Sequence, residues 1–526
     1  MTSFNTATKY FTKGFTAYNE ETTLPDNCLP FQNAKFGLLN LQAVYCEPSD
    51  IEHELVLTID HSGSMEQSSK IEQAIYTLKN IVGYLEEHQN IKANVTIFKF
   101  DDKFSNVLER TNVTEDNYKS IEKTISKIRS RGGTNIGLAL EETNKYISEL
   151  KTMYPTHQIS HIFLTDGEVT SGEFDPIILK QLVDKAVYNY FIGYGSGHDS
   201  KLLGILSDFE KSSYHYVDAI EKAGFVFGEI LHSITHKLLY NCEIVVEHGV
   251  IYNYNTNLYT NRLYIGDIVG ESNKVYHLFT DTPSTCYVHL KTLEPLEIHI
   301  FQETSHDLSF VNYAFRHRTL TLLCEVKQCQ EKYEISPRFG NEHFSYGTIS
   351  DCKMKMQKLF DEMLKYMEDN NDKQNKFIKM LCDDIHISQK TLGTRYGRMC
   401  ISSRQTSQGT QRIYTVNTTP LDRTRHAYES DLDSDDDVKG ASRQRAVASD
   451  SDDDVQKASS RQRASPGANL SIDTDLYEVS NNCMEDSPYL TMTATSLMRT
   501  INTKEPDNDF YISDDDEKSV DYSLTP

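Results

Sequence analysis

Between residues 54 and 238 two apolar rhythms alternate along the chain. "ELVLTI" (54–59) is a continuous apolar run, the pattern of a strand covered on both faces. Ile71, Ile75, Leu78, Val82 and Leu85 then recur at helical spacing, and Ser69 with Glu72 resembles a capping box at the start of that helix. "ANVTIFKF" (93–100) reads as a second strand, with "SNVL" (105–108) as its hairpin partner. Helical patterns follow at 115–128 and 136–150, then another buried strand, "ISHIFLT" (159–165). The alternation continues with a helix at 176–186, strands at 187–193 and 212–217, and helices at 199–209 and 220–239. Such alternation predicts an α/β fold, a doubly wound and mostly parallel sheet wrapped by helices through right-handed crossovers.

The rhythm changes after residue 240. From "CEIVVEHGVIYNY" (242–254) to "TLTLLCEV" (319–326), short runs rich in Tyr, Val and Ile alternate with turn residues, which predicts an all-β domain over 241–345. "KFGLLNLQAVYC" (35–46), within the 1–50 segment, reads as a strand that joins this later β unit, so that the α/β domain at 51–240 is inserted into it. Residues 346–400 read as a small helical segment with Leu359, Met363 and Met367 on one stripe, a packing surface rather than a cofactor site. From 401 to 526 the chain is polar and poor in aliphatics, and reads as a disordered acidic tail. "SDDDVKGASRQRA" (434–446) nearly recurs as "SDDDVQKASSRQRA" (451–464), and "SDDDE" follows at 513–517. Either these are solvated spacers, or Ser434, Ser451 and Ser513, each followed by three aspartates, are sites for an acidophilic kinase.

Charge narrows the classes of partner. The formal net charge is −24, and residues 421–526 hold 24 Asp and Glu against 11 Lys and Arg. More than half of the excess therefore lies in the last fifth of the chain. This balance argues against nucleic acid as a partner. No run approaches the roughly 18 apolar residues of a membrane span, so membrane insertion is not expected. "MTSFNTATKYFTKGFTAYNE" lacks the apolar core of a signal peptide. The ten cysteines are scattered, and the closest pair, Cys324 and Cys329, has no second pair or nearby histidines to complete a zinc spacing. The expected setting is intracellular, in a cytoplasm or a virion.

Three segments place hard oxygen donors at strand ends or helix starts. "DHSGS" supplies Asp60, Ser62 and Ser64; "RGGTN" (131–135) supplies Thr134; "LTDGE" (164–168) supplies Asp166. In a doubly wound sheet, ligands bind at the carboxyl ends of the strands. Carboxylates and hydroxyls without thiolates suit Mg²⁺, Mn²⁺ or Ca²⁺. Two aspartates and three neutral hydroxyls leave room for one more anionic oxygen, which an acidic side chain of a partner can supply.

"TIDHSGSM", "RGGTNIGLAL" and "HIFLTDGEVTSG" together resemble the von Willebrand factor A (vWA) family and its metal-ion-dependent adhesion site. The resemblance covers roughly residues 50–238. It implies that Ser62, Ser64 and Thr134 are direct or near-direct ligands and that Asp60 and Asp166 act chiefly through water. It also implies a protein partner with an exposed Asp or Glu. The β strands and helices after the domain resemble intracellular or bacterial-type vWA proteins. The Asn, Lys, Ile and Tyr bias with the acidic repeats is similar to proteins of large DNA viruses of protists. A non-enzymatic, metal-dependent interaction module is the expectation. An adaptor for an AAA+ ATPase or ubiquitin machinery is the second reading. A metal-dependent enzyme is the third, although no nucleophile elbow, HExxH or P-loop is present.

Overall fold

The computed structural model describes residues 11–18, 24–25, 28–166, 169–195, 198–217, 220–292, 298–300, 309–335, 342–394, 396–412 and 489–503. Two strands come first, β1 (Phe11–Tyr18) and β2 (Lys35–Ala43). The α/β domain follows as β3 (His53–Asp60), α1 (Lys70–Glu87), β4 (Ala93–Phe100), β5 (Phe104–Asn112), α2 (Glu115–Ile125) and α3 (Ile136–Met153). It continues with β6 (Gln158–Thr165), α4 (Pro176–Gln181), β7 (Tyr188–Tyr194), α5 (Ser200–Leu206), β8 (Ser212–Val217) and α6 (Ile220–Thr235).

The six strands are ordered β5-β4-β3-β6-β7-β8, parallel except for β5 at the edge. All eight residues of β3 are buried, because helices cover both faces of the sheet. Leu55, Leu57 and Ile59 pack with Leu78 and Val82 of α1 and Ile230 of α6. Val56 points the other way, onto Ile147 and Leu150 of α3. Each such fully buried aliphatic contributes about 1.5–3 kcal/mol. From β3 the chain moves outward to β4 and β5, then returns to β6 on the other side of β3. The order therefore reverses between β3 and β6, which opens a crevice at their carboxyl ends.

A two-layer β sandwich straddles this domain in sequence. It adds β9 (Lys237–Glu247), β10 (Val250–Asn253), β11 (Leu258–Thr260), β12 (Arg262–Val269), β13 (Asn273–Thr280), β14 (Tyr287–Lys291) and β15 (Ile298–Ile300). One layer is β1-β2-β13-β10-β11 and the other β12-β9-β14-β15. Strand β2 pairs antiparallel with the whole length of β13, from Lys35 opposite Thr280 to Gln42 opposite Asn273. Leu39, Leu41 and Leu278 meet Ile244, Val246 and Val288 between the layers. At the junction with the α/β domain the Lys237 ammonium is ion-paired with Asp267 at 2.8 Å, off the line of a good hydrogen bond. It lies 3.3 Å from the ring centroid of Tyr188. Asp267 also accepts hydrogen bonds from the Tyr188 hydroxyl and, at 2.9 Å, from the Asn241 N–H.

Two expectations are corrected here. "TLTLLCEV" is not a strand: it lies inside the 26-residue helix α7 (Phe310–Ile335). A short apolar run has no periodicity that separates strand from buried helix. The one local hint was the absence of Gly and Pro from 310 to 335. The all-β reading over 241–345 therefore ends too late. Second, the helical part is larger than 346–400. It comprises α7, α8 (Glu342–Asp369), α9 (Lys376–Thr391) and α10 (Gly397–Thr410), around a core that includes Leu323, Met356, Met363, Leu381 and Ile401. Chain beyond 401 is thus folded through α10, and again in α11 (Met492–Thr503). Ser403, Arg404 and Gln408 are buried, so polarity alone misplaced that boundary. The acidic repeats, with Ser434, Ser451 and Ser513, lie outside the described residues. No disulfide joins the cysteines among the described residues. No helix among them is long and apolar enough to cross a membrane.

Candidate metal centre

Strand β3 delivers Asp60 to the crevice with its side chain inward and fully buried. One carboxylate oxygen accepts from the Ser62 N–H at 2.8 Å, the other from the Thr165 hydroxyl at 2.6 Å. Burial raises the Asp60 carboxyl to about 6; the bonds from Ser62 and Thr165 work against that rise, and the nearby Asp166 adds to it. Among the described residues no cationic side chain is paired with it.

The chain then turns through Gly63–Ser69 as a 3₁₀ helix into α1. The Ser62 and Ser64 hydroxyls are 3.0 Å apart, and the Ser64 hydroxyl donates to Asp166 at 2.8 Å. Since the Ser64 proton goes to Asp166, Ser64 accepts from Ser62. Asp166, immediately after β6, is 4% exposed. Its second oxygen takes the Lys70 ammonium at 2.5 Å. The Lys70 stem runs beside Gly195, where a Cβ would lie 3.0 Å from Lys70 Cε.

Thr134 arrives from the loop before α3, whose first turn is capped by the Asn135 side chain accepting from the Leu138 N–H. Thr134 is 2% exposed. Its N–H donates to the Thr170 hydroxyl at 2.6 Å, and its carbonyl accepts from Thr170 and Ser171 at 3.0 and 3.2 Å. Backbone bonds tie this loop to the first one: Gly63 N–H to the Gly132 carbonyl at 3.0 Å, and Arg131 N–H to the His61 carbonyl at 2.7 Å. Gly132 has φ of +72°, and a Cβ there would press on Asp101 at 3.1–3.2 Å. The structure thus joins Asp60, Ser62, Ser64 and Asp166 through Ser62, Ser64 and Thr165, and ties the loop that carries Thr134 to the first loop by backbone. Among the described residues no hydrogen bond links the Thr134 hydroxyl to that cluster.

The comparison with known families decides what this domain is. Residues 54–227 match the von Willebrand factor type A domain. The chain carries a vWA domain. Over 151 residues it is 30% identical to the inter alpha-trypsin inhibitor, heavy chain 4, of Mus musculus, a stretch that is 27% of this chain and 15% of that protein. Among solved structures, similarity is found to a von Willebrand factor type A protein from Catenulispora acidiphila (13% identity, TM-score 0.44, 71% of this chain and 89% of that one). It is also found to the ArnB paralog VWA2 from Sulfolobus acidocaldarius (14% identity, TM-score 0.44, 76% of this chain and 99% of that one).

Three participants in the vWA crevice were not singled out from the sequence. Thr165 precedes Asp166, so alternation from Asp166 turns it to the other face, and only the register of β6 against β3 brings it level with Asp60. Thr170 follows a loop with no pattern. Lys70 opens α1, where a lysine is unremarkable in sequence, and only the fold brings it to Asp166. No cluster of three or more His, Cys, Asp or Glu suited to a metal occurs among the described residues. Any cation held in this crevice is shared between carboxylates and hydroxyls, which is hard-cation chemistry. The residues fit such an ion: a buried acid that has no cationic partner among the described residues, and a lysine ammonium standing at the second acid.

Proposed function

We propose that the vWA domain is a non-enzymatic protein-interaction module that depends on Mg²⁺ or a related divalent cation. Asp60, Ser62, Ser64, Thr134 and Asp166 would hold the ion, which when bound supplies an electrophilic centre for one acidic side chain of a partner. This chain's own residues prepare that centre. Thr165 and the Ser62 N–H orient the Asp60 carboxylate, Ser64 orients Asp166, and the Gly63–Gly132 backbone bond holds the two loops in register.

The observation that carries the reading is the cluster itself. Two acids and two hydroxyls from separate loops converge at the sheet's switch point, and a lysine ammonium takes the place of a cation at Asp166. Asp60 has no ion-pair partner among the described residues. The test is calorimetric titration of Mg²⁺ and Mn²⁺ into the full chain, alone and with excess acetate, with Asp166→Ala as control. Binding that vanishes in the variant is expected. Silence in both proteins, with acetate present, would overturn the proposal.

A further inference from the structure

Helix α11 (Met492–Thr503) is separated from α10 by the long stretch 413–488, yet it packs on the vWA domain, against α6 and α1. Its sequence, "MTATSLMRTINT", carries four threonines and an isoleucine, poor helix formers, and a 12-residue helix is marginal in isolation. Docking therefore makes the helix. The seat is one-sided: Ala494, Leu497 and Met498 are buried at i, i+3 and i+4, while Met492 is 81% exposed. Leu497 enters the same apolar cluster as Leu57, Val226 and Ile230 of the vWA domain.

The receiving face is shaped for this occupant. Gly228 sits inside α6, where glycine is the least favourable residue after proline. A Cβ at Gly228 would meet Met498 at Cγ (2.9 Å), N (3.0 Å) and Cα (3.2 Å). The missing side chain is the notch that receives the α11 backbone. Polar ties then fix the register. The Tyr489 hydroxyl donates to Gln408 at 2.8 Å, the Thr493 N–H donates to Glu271 at 2.8 Å, and the Thr491 hydroxyl accepts the Ala494 N–H at 3.0 Å as a cap. Arg412 and Tyr489, which bound the 413–488 stretch, line one small cavity together with Glu229, His232 and Lys274.

We propose that the α1–α6 face of the vWA domain is a helix-docking surface whose occupant, residues 489–503 of this chain, is a tethered and exchangeable ligand rather than a fixed part of the domain. The surface selects a short amphipathic helix with a small residue followed by large apolar residues three and four positions later. The inference rests on packing at Gly228 and does not depend on the metal reading.

The test uses the full chain with a protease site placed within 413–488. After cleavage, labelled peptide 489–503 is added in excess and the mixture is run on gel filtration. The cut C-terminal fragment is expected to co-elute until the peptide replaces it, with the circular dichroism of the α/β domain retained. Leu497→Asp with Met498→Asp should release the segment, raising amide exchange over 493–503 at least a hundredfold while β3 and β6 stay protected. Gly228→Leu should do the same from the other side of the contact; the first pair of substitutions covers the case in which that variant fails to fold. A fragment that leaves only when the sheet unfolds would overturn the proposal. So would loss of protection in β3 and β6 together with α11. An intact chain that elutes as a dimer exchanging α11 between copies would overturn the assignment within one chain.

Discussion

Two lysine–aspartate pairs show how differently one chemistry is used. Lys237 and Asp267, at the junction of the vWA domain with the sandwich, have side chains 1% and 5% exposed. Burial alone would raise Asp267, but Lys237, Tyr188 and Asn241 outweigh it and hold the carboxylate below its usual range. Lys70 and Asp166, at the crevice, are 13% and 1% exposed, and Asp166 has the Ser64 hydroxyl beside it. In the first pair Asp267 is also held by Tyr188 and Asn241, and the pair is part of the architecture. The second leaves its lysine at a rim, beside another buried acid, Asp60, that has no cationic partner among the described residues. A buried charge pair is costly to break when nothing can replace the missing partner, and cheap when an ion can.

The sharpest way to break the comparison is to remove each lysine in turn. Lys237→Met leaves Asp267 buried without its cation and should cost about 3–5 kcal/mol in urea unfolding. An effect below 1 kcal/mol would erase the distinction. Next in size is pH. Burial holds His161 at about 4, and His215, His232 and His317 at about 3, against 6.5 in the unfolded chain. The folded state binds fewer protons than the unfolded one between those values. Their contribution is therefore complete above pH 6.5 and is lost as pH falls from 6.5 toward 3–4. At pH 5.5 each costs about 1.4 kcal/mol. Asp384, raised by burial to about 7, works in the opposite sense, since it is more easily protonated in the folded chain. Thermal unfolding from pH 8 to 5 should show a net fall in midpoint below 6.5; a flat profile would contradict the buried neutral imidazoles.

Lys70→Met should cost about 1–2 kcal/mol in EDTA, the scale of leaving a buried acceptor without its donor. Millimolar Mg²⁺ should restore it if the ion binds the folded state. Loss without rescue would make Lys70 the structural equal of Lys237. The smallest effect belongs to Thr134→Ala, expected to change stability by less than about 1 kcal/mol while abolishing Mg²⁺ heat. A circular dichroism spectrum showing gross unfolding would assign Thr134 to the fold instead.

The parallel sheet was readable because strands covered on both faces must be apolar throughout, as 54–59 and 159–165 are. The donor segments were readable because "DHSGS", "RGGTN" and "LTDGE" are local in sequence. What escaped was settled by contacts distant in the chain. The α7 run "TLTLLCEV" is helical because Leu323 and Val326 face Met356 and Leu381 from other helices. The α11 segment has weak helical propensity and is a helix because Gly228, some 270 residues earlier, leaves room for it. Lys70 carries no local mark of its role, and only the fold brings its ammonium to Asp166.

The way the vWA domain is spliced into the sandwich has a mechanical consequence. The chain enters from β2 and leaves into β9, and at the doorway the Ser49 N–H bonds the Thr235 carbonyl at 2.9 Å. The entry and exit segments therefore touch just where the chain crosses between the two domains. A pull applied to the sandwich passes from one side of that doorway to the other without stretching the inserted domain. A partner tugging at the crevice loads the linker before β3 and the end of α6 together, as a bail handle loads its two rivets.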